Sequence, residues 1–133
     1  MPDGVQDLSI IVFDGAYDRV HYALVLASAA AASNRRATLF FTGHSLVALT
    51  PGGWRRLGGD PEAEDARAAA CGTAGFAELL AACRELGVRF IACEMGLRLA
   101  GLAAEALTEA PVEIAGVVTV LNATPAGAQM LFI

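Results

Sequence analysis

A chain of 133 residues is the size of one domain, and a domain of about that length buries roughly two-thirds of the surface its unfolded chain exposes, so neither a disulfide nor a metal is needed to hold it together. With 56% hydrophobic and 17% charged residues, disorder is excluded. The net charge of −5 and a pI near 4.9 leave no basic stripe, which argues against nucleic acid and an anionic membrane as partners.

All nine basic side chains are arginines. Without a lysine, neither a phosphate-loop lysine nor a Schiff base is possible. A mean hydropathy of +0.53 is high for a soluble monomer. It implies helices on both faces of a sheet and some surface covered by other subunits. Met1 to Asp7 carries two aspartates and no positive segment, so no export signal is read and a cytoplasmic location is expected. The uncharged stretch Ile114 to Ile133 is nominally long enough to span a bilayer. Asn122, Thr124, Pro125 and Gln129 interrupt it, so it reads instead as a buried helix and a strand.

Leu8 to Phe13 is a near-continuous apolar run, as suits a parallel strand buried on both faces. Asp18 stands where a helix N-cap would, ahead of Val20, Leu24, Ala27 and Ala31 at helical spacing. Asn34 closes that helix, and Ala37 to Phe41 forms a second strand. Gly43 to Gly72 is irregular, with turn signals at Pro51-Gly52-Gly53 and Gly58-Gly59. Within it, Asp60-Pro61-Glu62 predicts a capped helix from Pro61 to about Ala70. This segment is read as a surface insertion, or alternatively as a lid or subunit contact.

From Thr73 the regular pattern resumes. Phe76, Leu79, Leu80, Cys83 and Leu86 mark one helical face, ended by Gly87. Val88 to Ala92 is the third strand. Cys93 to Gly96 turns into a helix carrying Leu99, Leu102, Ala103, Ala106 and Leu107, with Glu94 and Arg98 spaced to pair. Pro111 stops it. Val112 to Ala115, a helix from Val117 to about Ala123, and Gln129 to Ile133 complete the chain. Strands alternating with helices predict an α/β fold: a three-layer α/β/α sandwich around a five-stranded parallel sheet, read as one domain over residues 1–133.

Ligands of open parallel sheets bind outside the carboxyl ends of the strands. That rule gathers Asp14, Gly15, Thr42, Gly43, His44, Cys93, Glu94 and Met95 on one rim, with Gly96 beside them as a further candidate binding residue. Cys93 precedes a helix N-terminus, whose amides stabilise an anionic sulfur; Glu94 and apolar burial act the other way. A buried structural thiol and a reactive one both remain open. Cys83, on an apolar face, reads as core, and Cys71 as an incidental surface thiol or a resolving one. His44 could serve Cys93 as a base oriented by Asp14, although a histidine in a loop is more often a plain hydrogen-bonding group. Two histidines and three cysteines show no close ligand spacing, so no metal is expected. The glycines near Gly52 and Gly58 do not lie between a strand and a helix, and no cofactor is expected.

The stretch from Cys93 to Gly101 resembles the Cys-x-Met-Ser-Met-Asp-x-Met-Gly signature of a branch of the DsrE/DsrF-like sulfur-relay family. Cys93, Met95 and Gly101 stand in register; Leu97, Arg98 and Ala100 depart. Leu39-Phe40-Phe41-Thr42 is similar to that branch's second strand end, although Gly43-His44 replaces the aromatic pair that often follows it. Gly87-Val88, Gly116-Val117 and Leu131-Phe132-Ile133 also fit. The resemblance implies a five-stranded parallel sheet, a homo-oligomer such as a trimer or hexamer, and a cysteine carrying sulfane sulfur as a persulfide. Cys93 matches that cysteine. The expected function is that of a sulfur carrier or sulfurtransferase between donor and acceptor proteins. The alternative is a non-catalytic oligomeric module that binds a small anion, a metabolite or a partner protein at the same rim, with the alanines from Ala27 to Ala32 suited to a subunit contact.

Overall fold

A computed structural model describes residues 6–133; the reading of residues 1–5 as part of an unexported N-terminus lies outside them. The chain runs β1 (Leu8–Val12), α1 (Tyr17–Ala32), β2 (Ala37–Phe41), α2 (Pro61–Ala70), α3 (Phe76–Glu85), β3 (Arg89–Cys93), α4 (Glu94–Ala100), β4 (Val112–Ala115), α5 (Val117–Ala123) and β5 (Gln129–Phe132). Short 3-10 turns occupy Gly43–Leu49, Gly53–Arg56 and Ala104–Ala106. All strand pairs are parallel, in the order β4-β3-β2-β1-β5. The fold is the three-layer α/β/α sandwich with a five-stranded parallel sheet.

The strand order dictates which face each helix covers. From β1 to β4 the chain steps in one direction, and right-handed crossovers put the intervening helices on one face. The step from β4 back to β5 runs the other way, so α5 must cross the opposite face. Burial follows this division. The main core joins Ile10, Val12, Leu39, Phe41, Phe90 and Ala92 to the inward residues of α1 and α3. The second face holds a small cluster of Phe40, Ile91, Cys93 and Val120, with Ile11 and Ala115 at its edge. A seven-residue helix cannot cover five strands. An open groove of about 1010 Å³ runs from there around the amino ends of the strands, bordered by Ser9, Thr38, Ile91 and Val120 and by Arg36 and Gly87.

Elements with strong end signals lie where the sequence puts them. Asn34, at φ 66°, closes α1 in the left-handed region that asparagine tolerates. Pro61 opens α2 behind Asp60, whose carboxylate accepts the Ala63 N–H at 3.4 Å. Other details differ. The N-cap of α1 is Ala16, not Asp18, because the Tyr17 N–H is already held by the Gly58 carbonyl at 3.0 Å; Asp18 lies in the first turn. Helix α4 ends at Ala100 instead of running to Leu107. Gly101 adopts φ 68° and the Leu102 N–H returns to the Leu97 carbonyl, a closure that stops a helix. Leu97 consequently points inward while Leu99 is 81% exposed. Leu86, expected on the buried face of α3, is its exposed C-cap. Among the described residues no ion pair joins Glu94 to Arg98.

The insertion is fastened to the body through Tyr17. Its hydroxyl donates to Asp65 of α2 at 2.5 Å, and the same carboxylate oxygen accepts the Phe76 N–H at 2.7 Å. Trp54, Phe76 and His21 pack around the Tyr17 ring. Burial, with the Asp65 carboxylate second, pushes the Tyr17 phenol well above its usual range. Burial likewise pushes the Cys83 thiol up to about 11. Both are acids held protonated in the fold. Below about pH 9 both states keep these protons and the contribution is whole; as pH rises, the unfolded chain ionises first and stability falls. A tenfold preference for the protonated form is worth about 1.4 kcal/mol. Cys83 alone therefore removes about 2 kcal/mol by about pH 11. Urea unfolding at about pH 8 and about pH 11 measures the drop. A Tyr17→Phe, Cys83→Ala double variant is weaker at the lower pH but shows a flatter alkaline slope.

Candidate functional site

A sheet opens a crevice where neighbouring strands send their connections to opposite faces. Here β3 leads into α4 on the main-core face, whereas β4 leads into α5 on the other. The point where the connections diverge therefore lies between the carboxyl ends of β3 and β4, where Cys93 pairs in register with Ala115. Cys93 is the last residue of β3, one position beyond the expected strand end, and the N-cap of α4.

Strand alternation decides where its thiol points. Phe90 and Ala92 face the main core, so Ile91 and Cys93 face α5. The Cys93 sulfur packs with Phe40, Ile91 and Val120 and accepts the Gly96 N–H at 3.4 Å. Cys93 is 4% exposed. Gly96 has no room for a side chain: a Cβ there would lie 2.8 Å from Thr42 Oγ1 and 3.3 Å from Cys93 Cβ. That close approach of α4 to the β2 loop is what aims the amide at the sulfur. Glu94 and Met95 flank Cys93 on the outside, Met95 at 64% exposure.

The other rim residues assemble on the opposite side of α4. Asp14, Gly15, Gly43, His44, Arg56 and Gly96 border a cavity of about 950 Å³ with apolar walls from Phe13, Val47, Leu99 and Leu102. Cys93 does not line it. His44 has no hydrogen bond to Cys93; Asp14 accepts the Ala16 N–H at 2.8 Å and lies 3.8 Å from Arg19. The Asp14, His44 and Cys93 arrangement of a cysteine hydrolase is thus not assembled. Thr42 anchors the loop end, its N–H donating to the Val12 carbonyl at 3.0 Å.

Sequence reasoning does not reach several residues of this region. Ala115 and Val120 border the thiol only because β4 neighbours β3. Ser45, fully buried, ties the strand ends, its one hydroxyl proton shared between the Val12 and Thr42 carbonyls at 2.6 and 2.8 Å. Arg56 reaches the rim because the Gly58 N–H donates to the Gly15 carbonyl at 2.8 Å, a contact between segments far apart in the chain. Cys83 is buried in the main core, with its thiol 3.5 Å from the Leu24 carbonyl; Cys71 is exposed after α2. Among the described residues no group of three or more possible metal ligands comes together. No described helix is long and apolar enough to cross a membrane.

Comparisons with known proteins agree with this architecture. A protein of unknown function, MTH1491 from Methanobacterium thermoautotrophicum, shares the fold at 15% identity and a TM-score of 0.68, covering 96% of this chain and 99% of that one. The ychN protein from E. coli does so at 18% identity and a TM-score of 0.61, with the same coverage of each chain. Such identities show the fold alone. No curated protein matches the chain. The family model described as DsrE/DsrF/DrsH-like matches residues 60–132, more than half of the chain, from α2 through Cys93 to the end of β5. The protein is accordingly a member of the sulfur-relay-like DsrE/DsrF/DrsH-like family.

Proposed function

We propose that the protein is a sulfur carrier of the sulfurtransferase type, which holds sulfane sulfur as a persulfide on Cys93 and passes it to a partner thiol. The observation that carries this reading is the seat of the thiol: the end of β3, where the neighbouring connections diverge, with the Gly96 amide directed at the sulfur. Membership in a sulfur-relay-like family supports it, as does the Cys93, Met95 and Gly101 register of the Cys-x-Met branch.

The step balances without an oxidant. The Cys93 thiolate attacks the outer sulfur of a donor persulfide, the donor's S–S bond breaks, and the donor leaves as a thiolate. An acceptor thiolate then attacks the outer sulfur on Cys93, which leaves as a thiolate in turn. The Gly96 N–H stabilises the anionic sulfur at the start and end of the cycle. Glu94 and Met95 stand where a docking protein first touches the rim, and Thr42, Gly43, His44 and Asp14 extend that rim past α4. The whole chain acts as one domain in the cytoplasm. Ile114, Val117, Val118, Leu121, Met130 and Phe132 leave an exposed apolar belt along β4, α5 and β5, which favours assembly of copies into a trimer or hexamer.

The tight burial of Cys93 favours a second reading, an oligomeric binding module without sulfur transfer. Intact mass separates the two. A Cys71→Ser, Cys83→Ala protein treated with polysulfide is expected to gain the mass of one sulfur atom and return it to an added thiol. The same protein carrying Cys93→Ser gains nothing. Loading that survives Cys93→Ser in the otherwise natural chain rules out the assignment; no loading on Cys93 in either background favours the binding module.

A further inference from the structure

We propose that the cavity on the far side of α4 from the Cys93 sulfur is a binding site for a small zwitterion with an apolar body, of the class of the aliphatic α-amino acids. Its charged side chains are one carboxylate, Asp14, and one guanidinium, Arg56, with His44 beside them. The two charges do not neutralise each other. Asp14 is fixed by the Ala16 amide and by Arg19, and Arg56 by a 2.7 Å donation to Thr50 Oγ1. Among the described residues Arg56 has no carboxylate partner. A cation tethered by a neutral hydroxyl keeps most of its N–H donors for an anion.

The rest of the cavity says what lies beside the two poles. Val47, Leu99 and Leu102 supply aliphatic walls, and Leu99 is far more exposed than a leucine with a packing role would be. About 950 Å³ is ample for a metabolite. The cavity is also built from backbone that leaves no slack. A Cβ on Gly15 would lie 2.4 Å from His44 Cβ, and one on Gly43 3.0 Å from the Phe13 carbonyl. The strap that brings Arg56 is locked by the Gly58-to-Gly15 and Tyr17-to-Gly58 hydrogen bonds. A carboxylate on Arg56, an ammonium on Asp14 and an aliphatic side chain against Leu99 and Leu102 match the two charges and the aliphatic wall of the lining. A simple anion would leave Asp14 facing it, and a simple cation would leave Arg56 unanswered.

The site does not include the Cys93 sulfur, although it shares Gly96, Gly43, His44 and Asp14 with the rim. Isothermal titration of the full chain with L-leucine and L-methionine tests it, with 4-methylpentanoate and isoamylamine as probes lacking one charge each. Saturable binding of an amino acid is expected, weakened at least tenfold for both single-charge probes. Asp14→Asn and Arg56→Gln should each remove it, Arg56→Lys should retain part, and Cys93→Ser should leave it unchanged. Circular dichroism of the ligand-free variants identifies any that fail to fold, and the probe series on the natural chain stands regardless. Absence of amino-acid binding, equal affinity for the anion alone, or binding that survives in folded Asp14→Asn and Arg56→Gln proteins would each overturn the proposal.

Discussion

Phe90→Ala is expected to lower the unfolding free energy by about 3–5 kcal/mol, the usual cost of deleting a buried aromatic ring. Phe90 lies in β3, is 1% exposed, and stacks on Phe41 of β2 with ring centroids 6.2 Å apart. Both rings face the main core, where α1 and α3 close over them and leave little freedom to collapse into the space. Urea denaturation with an unchanged slope measures the loss. A change below about 1 kcal/mol would mean that this face is far more loosely packed than its burial implies.

Gly96→Ala is expected to cost about 1–3 kcal/mol, because the added methyl has nowhere to go. It would meet Thr42 Oγ1 at 2.8 Å, Leu46 Cδ1 at 3.0 Å and Cys93 Cβ at 3.3 Å. Relief requires α4 to move off the β2 loop, which takes the Gly96 amide away from the sulfur. Sulfur loading should therefore fall although Cys93 is intact. Gly116→Ala is the internal control. It stands at the N-cap of α5 after β4, with negative φ, and a methyl added there meets nothing within 4 Å. It should cost less than about 1 kcal/mol, since a favoured N-cap residue is lost but no clash is created. Equal effects of the two substitutions would show that the contact of α4 with Thr42 does not matter.

Much of the fold is legible in one dimension because its signals are local. The buried runs of β1 and β2, the cap at Asp60-Pro61 and the stop at Asn34 act over a few residues. The rim position of Asp14, Thr42, Gly43, His44 and Cys93 also follows, since it requires only that the strands be parallel. Which face each residue serves does not follow. It depends on β5 returning beside β1, and that return sends α5 across the Cys93 face and leaves His44 and Asp14 on the other side of α4. Arg56 and Tyr17 are invisible in the sequence for a related reason. Their roles rest on Gly58 meeting Gly15 and on Asp65 meeting both Tyr17 and Phe76, pairings between distant segments that no periodicity encodes. Helix α4 reads too long in the sequence because apolar spacing continues past Gly101, where a left-handed residue ends the helix.

Whether donor molecules can reach the Cys93 sulfur in the folded chain decides the functional reading. The most direct measurement is the rate at which iodoacetamide labels each cysteine under native conditions, resolved by peptide mass. Cys71 should react fastest and Cys83 only as the chain unfolds globally, with Cys93 well ahead of Cys83 and insensitive to mutations that alter global stability. Labelling of Cys93 that keeps pace with Cys83 and tracks global unfolding would contradict a carrier thiol and leave Cys93 as a packing residue.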